Sequence, residues 1–139
     1  MKKNTLPGIV KIRMVRCEDI QPHVMYSSIS GATVVLSMPS VKVEFYGQPS
    51  LKWEGTLVNG ARQEKSTLEF STSTALPEGK WLAFVVTTAS GKEYLIGTRE
   101  PKYPQITYSE TAGTPDGEAA VRTYKITHVA QKSVLPCIL

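Results

Sequence analysis

Alternation of apolar and polar residues with a period of two, renewed in one short run after another, is the feature that most restricts how this chain can fold. Side chains on an extended strand point to opposite faces in turn, so each such run buries one face and wets the other. Val10, Ile12 and Met14 alternate with Lys11 and Arg13. Val41, Val43 and Phe45 alternate with Lys42, Glu44 and Tyr46, and Gly47, Gln48, Pro49 and Ser50 then supply a turn. Leu51, Trp53, Gly55 and Leu57 alternate with Lys52, Glu54 and Thr56 as far as Asn59-Gly60, a dipeptide suited to the positive φ angles of a type I′ hairpin. The returning strand is expected from about Arg62 to Thr72, with Leu68 and Phe70 inward and Lys65, Thr67 and Glu69 outward.

Trp81 to Thr88 departs from this pattern: it is continuously apolar and β-branched, as a central strand covered on both faces requires. Ser90 and Gly91 turn it into Tyr94, Leu95 and Ile96, and Gly97 weakens the strand where it leaves the sheet. Pro101 and Pro104 bracket the next connection, Ile106 and Tyr108 mark a short strand, and a last long strand runs from about Ala120 to Ala130. Gln21 to Ala32, with Pro22, Ser27, Ser28, Ser30 and Gly31, and Thr111 to Glu118, with Gly113, Pro115, Asp116 and Gly117, have the composition of loops. Helical periodicity is scarce. The expected fold is mostly β: an antiparallel β-sandwich or partly closed barrel built from consecutive hairpins, with residues 1–139 forming a single β domain. A chain of 139 residues can bury roughly two thirds of its unfolded surface and needs no covalent staple.

Charge gives little direction. The formal net charge of +4, from 16 basic and 12 acidic residues, is spread along the chain. Its densest basic stretch is Lys11, Arg13 and Arg16, where Lys11 and Arg13 should project from one side of a strand. A solvated strand face is expected there, with a phosphate-binding stripe as the alternative. Cys17 and Cys137 form no CxxC spacing and are expected as buried free thiols, a bridge requiring the first and last strands to be neighbours. After Met1, Lys2 and Lys3 the apolar run is broken by Pro7, Lys11 and Arg13, so no signal peptide is expected. No stretch approaches the roughly 20 apolar residues of a membrane helix, and a soluble protein is expected.

Reactive chemistry finds no motif. Gly79-Lys80-Trp81 and Gly91-Lys92-Glu93 lack the upstream glycine and the hydroxyl residue of a phosphate loop. Cys17, His23, His128 and Cys137 could each ligate zinc, but no close pair exists that a tight turn could aim at one ion. His23 is expected in an exposed loop and His128 on a strand. There is no GxSxG elbow, and Glu18 and Asp19, adjacent on the chain, suit a turn better than paired acid and base work. Trp53, Tyr94 and Tyr108 could form a stacking platform, although Trp53 shares parity with Leu51 and Leu57 and is expected to be buried. Tyr46 beside Lys42 is the better candidate for a partner contact. No catalytic, cofactor-binding or metal residue is therefore assigned, and neither an enzyme nor a cofactor is expected.

One stretch carries a resemblance. Trp81-Leu82-Ala83-Phe84-Val85-Val86-Thr87-Thr88, the turn Ala89-Ser90-Gly91-Lys92 and the strand Glu93-Tyr94-Leu95-Ile96-Gly97-Thr98 are followed by Pro101, Pro104 and the Thr/Lys-rich Thr123-Tyr124-Lys125-Ile126-Thr127. In this order the C-terminal half resembles small β-rich proteins of prophage-like regions in gut Bacteroidetes, described as tail-associated or uncharacterised. The resemblance implies a non-catalytic structural or assembly protein, a phage or prophage tail (virion) component. It would act through protein–protein contacts with other virion proteins or itself, a ring being one such assembly, in the bacterial cytoplasm and then in the particle. The first strand, the Gly47 to Gly60 hairpin and the Thr111 to Glu118 loop are the expected contact regions. The alternative is a small β-sandwich binding module for carbohydrate or protein; a nucleic-acid binder using Lys11, Arg13 and Arg16 is a third reading, and neither nucleic acid nor membrane is the expected partner.

Overall fold

The computed structural model describes residues 8–22, 34–35, 39–73, 75–77, 79–99, 102–111, 121–130 and 133–138. Strands follow one another as β1 (Ile9–Arg16), β2 (Val34–Val35), β3 (Val41–Val43), β4 (Tyr46–Val58), β5 (Ala61–Thr72), β6 (Leu82–Thr88), β7 (Glu93–Ile96), β8 (Gln105–Thr111), β9 (Val121–Ala130) and β10 (Leu135–Ile138). They form two sheets, one of six strands in the order β2-β10-β7-β6-β1-β3 and one of four in the order β4-β5-β9-β8. Neighbours are antiparallel except the two-residue β2, which runs parallel to β10. The sheets do not close into a barrel, and the fold is a β-sandwich. Among the described residues the only helical element is a 3-10 turn, Cys17–Asp19, and no helix is long and apolar enough to cross a membrane.

The doubly apolar run becomes β6, placed between β7 and β1. Its even residues, Leu82, Phe84 and Val86, face the four-stranded sheet and meet Leu68, Phe70, Tyr124 and Ile126 across the core. Phe70 stands 6.0 Å from Phe84 and 5.8 Å from Tyr124, ring centre to ring centre. The odd residues, Ala83 and Val85, enter a second buried cluster on the other side of the six-stranded sheet, with Val15, Cys17, Ile20, Leu95, Leu135 and Cys137. Arg99 clamps this layer, its Nη1 donating to the carbonyls of Glu18 at 3.0 Å and Ile20 at 2.7 Å. Complete burial of a side chain such as Phe84 stabilises a fold by roughly 2–3 kcal/mol, so a strand buried on both faces is a large share of the total.

Three local hairpins, β4–β5, β6–β7 and β8–β9, follow the expected order. Asn59 and Gly60 both have positive φ, 53° and 82°, as a type I′ turn demands. On β5 the even residues from Glu64 to Thr72 are all buried, Leu68 and Phe70 among them. Pairings between distant segments, β1 with β6 and β3, β5 with β9, and β10 with β7 and β2, complete the sheets.

Four expectations need correction. A bulge between Ile9 and Lys11 turns Ile9 inward and leaves Val10 56% exposed, because one extra residue on β1 shifts the pleat against β6. Gly47 to Ser50 make no turn between strands: they lie inside β4, where Tyr46 pairs with Ser71 and Ser50 with Glu69, so two extra residues bulge out, starting at the positive-φ Gly47. The chain instead changes sheet just before, at Glu44 and Phe45, where the Thr72 hydroxyl donates to the Glu44 carbonyl at 2.6 Å. Trp53 and Leu57 are 42% and 76% exposed although their parity points inward, since the cover of the opposite sheet thins at Tyr94, which shields Trp53 in part, and does not reach Leu57. Finally, β2 and β10 are too short to show alternation and were not expected. Beyond Pro22 and Thr111, the expected loops at Gln21–Ala32 and Thr111–Glu118 lie outside the described residues, as do His23 and Pro101.

Gly97 ends β7 with φ 150°, and a Cβ placed there would collide with the Ala83 side chain. Strain and overpacking against β6 add, so Gly97→Ala should lower unfolding free energy by about 2 kcal/mol or more in a urea titration. An unchanged midpoint would contradict this packing.

Candidate functional site

A concavity of about 1020 Å³ opens at the start of β6 and is built from three separated segments. The approach to β6 contributes Leu76, Lys80 and Trp81, the connection into β8 contributes Lys102 and Tyr103, and the paired ends of β8 and β9 contribute Tyr108 and Arg122. Trp81, just outside β6, is 63% exposed and lies on Tyr103 with ring centres 4.7 Å apart and planes 16° from parallel. Tyr108 is 52% exposed, 5.7 Å from Tyr124, and carries the Arg122 guanidinium 5.1 Å from its ring centre. Arg122 also donates from Nε to Glu110 at 2.6 Å and from Nη1 to the Tyr124 hydroxyl at 3.2 Å, while that hydroxyl accepts the Leu76 N–H at 2.9 Å. The groove thus has fixed aromatic walls, with Lys80 and Lys102 at its exposed rim. Such a surface stacks flat, partly apolar groups; among the described residues no nucleophile–base pair lines it.

A second concavity, about 720 Å³, sits at the other end of β6, between the β6–β7 turn and the β4 bulge. There Trp53 leans on Tyr94, ring centres 5.6 Å apart and tilted by 49°. Tyr94 and Tyr108, both proposed from sequence as stacking residues, therefore stand at opposite ends of the molecule. Tyr46 is 52% exposed and donates its hydroxyl proton to Ser73 Oγ at 3.1 Å.

The basic stretch Lys11, Arg13 and Arg16 divides. Lys11 and Arg13 are half-buried and share one face of β1, and β3 places Lys42 directly opposite Arg13. Arg16 has opposite parity and pairs with Glu18 at 2.7 Å. β1 itself is internal, between β6 and β3, so it cannot be the free edge expected of the first strand. β4 can: it is the outermost strand of its sheet.

Two of the four metal-competent residues, Cys17 and Cys137, are free thiols in the cluster behind the six-stranded sheet. Burial pushes Cys17 up to about 11 and Cys137, which also faces the Glu93 carboxylate, up to about 12; thiols held so far from the thiolate are unreactive. His128 faces the core on β9 and belongs to a different constellation. Among the described residues no group of three His, Cys, Asp or Glu could hold a metal ion.

That constellation was not legible in the sequence. Glu64, Ser66, His128 and Ser133 are all buried at one end of the four-stranded sheet. Ser66 lies opposite His128 but directs its hydroxyl to the His128 carbonyl at 3.4 Å. Glu64 Oε1 accepts the N–H groups of Ser133 at 2.9 Å and Val134 at 3.3 Å and the Ser133 hydroxyl at 3.3 Å. Its carboxylate thereby satisfies backbone donors where the chain turns from β9 toward β10. Serine, histidine and carboxylate are near one another, yet the Ser66 hydroxyl is directed at the His128 carbonyl and not at the imidazole, which is unlike the bonding of a catalytic triad.

No protein-family model, curated protein or solved structure matches the chain.

The His128 Nδ1 is buried without a hydrogen-bond partner among the described residues, and burial lowers the imidazole from 6.5 to about 4. Above 6.5 neither state binds the proton; as pH falls from there toward 4 the unfolded chain takes it up first, so stability is lost on acidification. This group should remove about 2 kcal/mol between pH 7 and 5. Urea titrations of the chain and of His128→Gln at both pH values measure it, and equal pH slopes in the two would refute it.

Proposed function

We propose that the protein is a non-catalytic structural protein that works by contact with other proteins, and that the likeness of its hairpins to prophage tail-associated proteins gives the setting, a tail or virion-like particle assembled in the bacterial cytoplasm. The observation that carries the contact reading is the outer edge of β4. From Leu51 to Val58 it pairs regularly with β5 on one side and, among the described residues, with no strand on the other, and it bears Trp53 and Leu57, both exposed. An uncovered, regular edge with apolar side chains is a template for strand addition. Past Glu64, which still faces Ala130 of β9, residues 56–63 pair, among the described residues, only with each other and extend as a two-stranded arm. The partners are other particle proteins and copies of this chain.

The full chain at micromolar concentration, alone and mixed with tail or head proteins of the same particle, should give complexes in native mass measurements. A double substitution, Trp53→Lys with Leu57→Lys, should abolish them. A strict monomer under both conditions refutes the proposal.

The groove at Trp81 favours a second reading, a binding module for carbohydrate. A sugar ring presents an apolar face that stacks on an exposed indole, and Gln105 and Thr107 at the groove supply polar partners for hydroxyls. Titration with neutral and acidic oligosaccharides should change the tryptophan fluorescence of the chain and not that of Trp81→Ala. No change with any of them removes this reading.

A further inference from the structure

The sheets have four outer strands, and they differ in what they offer. β2 and β3 are two and three residues long, too short to template a neighbour. β8 has seven residues. β4 has thirteen, but its first part is blunted by the bulge that begins at Gly47 and contains Pro49, a residue with no N–H to give. The usable edge is therefore the regular stretch Leu51–Val58. In an antiparallel ladder successive residues aim their N–H and C=O groups to alternate sides, so half of these residues present theirs away from β5. Among the described residues no strand pairs with them.

Resting on the contact reading above, we infer that this edge takes a second copy of the same chain, β4 against β4, antiparallel about a two-fold axis through Trp53. The register follows from side chains. A pairing that exchanged odd for even positions would set the apolar row of one copy against the polar row of the other, so the axis must pass through a residue and not between two. Centred on Trp53, the pairing puts Lys52 opposite Glu54 of the other copy, and by symmetry does so twice. Centred on Lys52 or on Glu54, it opposes like charges; centred on Gly55, it brings neither Lys52 nor Glu54 an opposite charge from the other copy, although Glu54 still faces Lys65 of its own sheet. Among these, charge complementarity selects the Trp53 register. There the two exposed indoles meet on the inward side, each backed by its own Tyr94. Such a contact uses the same patch on both copies and joins two four-stranded sheets into one continuous sheet.

Analytical ultracentrifugation of the full chain should show a monomer–dimer equilibrium. Lys52→Glu and Glu54→Lys should each weaken it about tenfold, and the double exchange, which restores opposite charges in this register, should recover it to within about threefold. Trp53→Cys should give a dimer linked through residue 53 under mild oxidation, since directly opposed residues on paired strands lie within disulfide reach. Leu57→Cys should not, and the native thiols, both buried, do not compete. A dimer without the residue-53 link, or one indifferent to the charge exchange, overturns the register. A chain monomeric alone that still forms β4-dependent complexes with other particle proteins overturns self-pairing and leaves the contact reading standing. If those complexes are absent too, both fall.

Discussion

Everything in this molecule is arranged around the burial of β6 on both of its faces. Leu82, Phe84 and Val86 meet the four-stranded sheet, and Ala83 and Val85 meet the layer formed by Cys17, Ile20 and β10. A strand wetted on one face can sit at a sheet's margin, but one with no polar face must be central. That requirement sets β7 and β1 on its flanks, pushes β3 and β2 outward as short edges, and leaves no Cβ space at Gly97.

The four-stranded sheet obeys a weaker constraint. Only its inner face near Leu68, Phe70, Tyr124 and Ile126 has apolar cover, and beyond that cover its inward positions change character. At one end they are Glu64, Ser66 and His128, closed over by Ser133 and Val134. On β4 they are Trp53, covered in part by Tyr94, and Leu57, left to solvent. A buried carboxylate whose bonds organise a chain reversal and an uncovered apolar edge are two outcomes of the same fact: the sheet is longer than what lies across it. The first specifies the fold, since leaving the Ser133 and Val134 N–H groups unpaired would cost roughly 1–3 kcal/mol each. The second supplies the material for contact.

Legibility in the sequence tracks how local each cause is. Asn59-Gly60 carries its turn geometry within two residues, and the alternation around Leu68 and Phe70 states the inner face of β5 outright. Val10 misled because a bulge exists only relative to the partner strand, here β6, 79 residues away in sequence by way of the Ile9–Thr88 pairing. The proline and glycine at 47–49 have turn chemistry in either setting, and only the long pairing with β5 makes them a bulge. The aromatic groove is scattered along the chain: Trp81 abuts the apolar run of β6, Tyr103 lies between Pro101 and Pro104, and only Tyr108 has the alternation of a strand.

By itself, the sequence determined that this chain is a β protein with a doubly buried strand, a tight hairpin at Asn59-Gly60 and no familiar reactive motif, because period, turn residues and motif spacing are properties of neighbours along the chain. Tertiary structure alone decided which faces are covered, that His128 sits among Glu64, Ser66 and Ser133, that Trp81, Tyr103 and Tyr108 line one groove, and that β4 is an edge. Burial, convergence and edge position depend on what lies opposite in space, and a residue's own pattern carries no record of that.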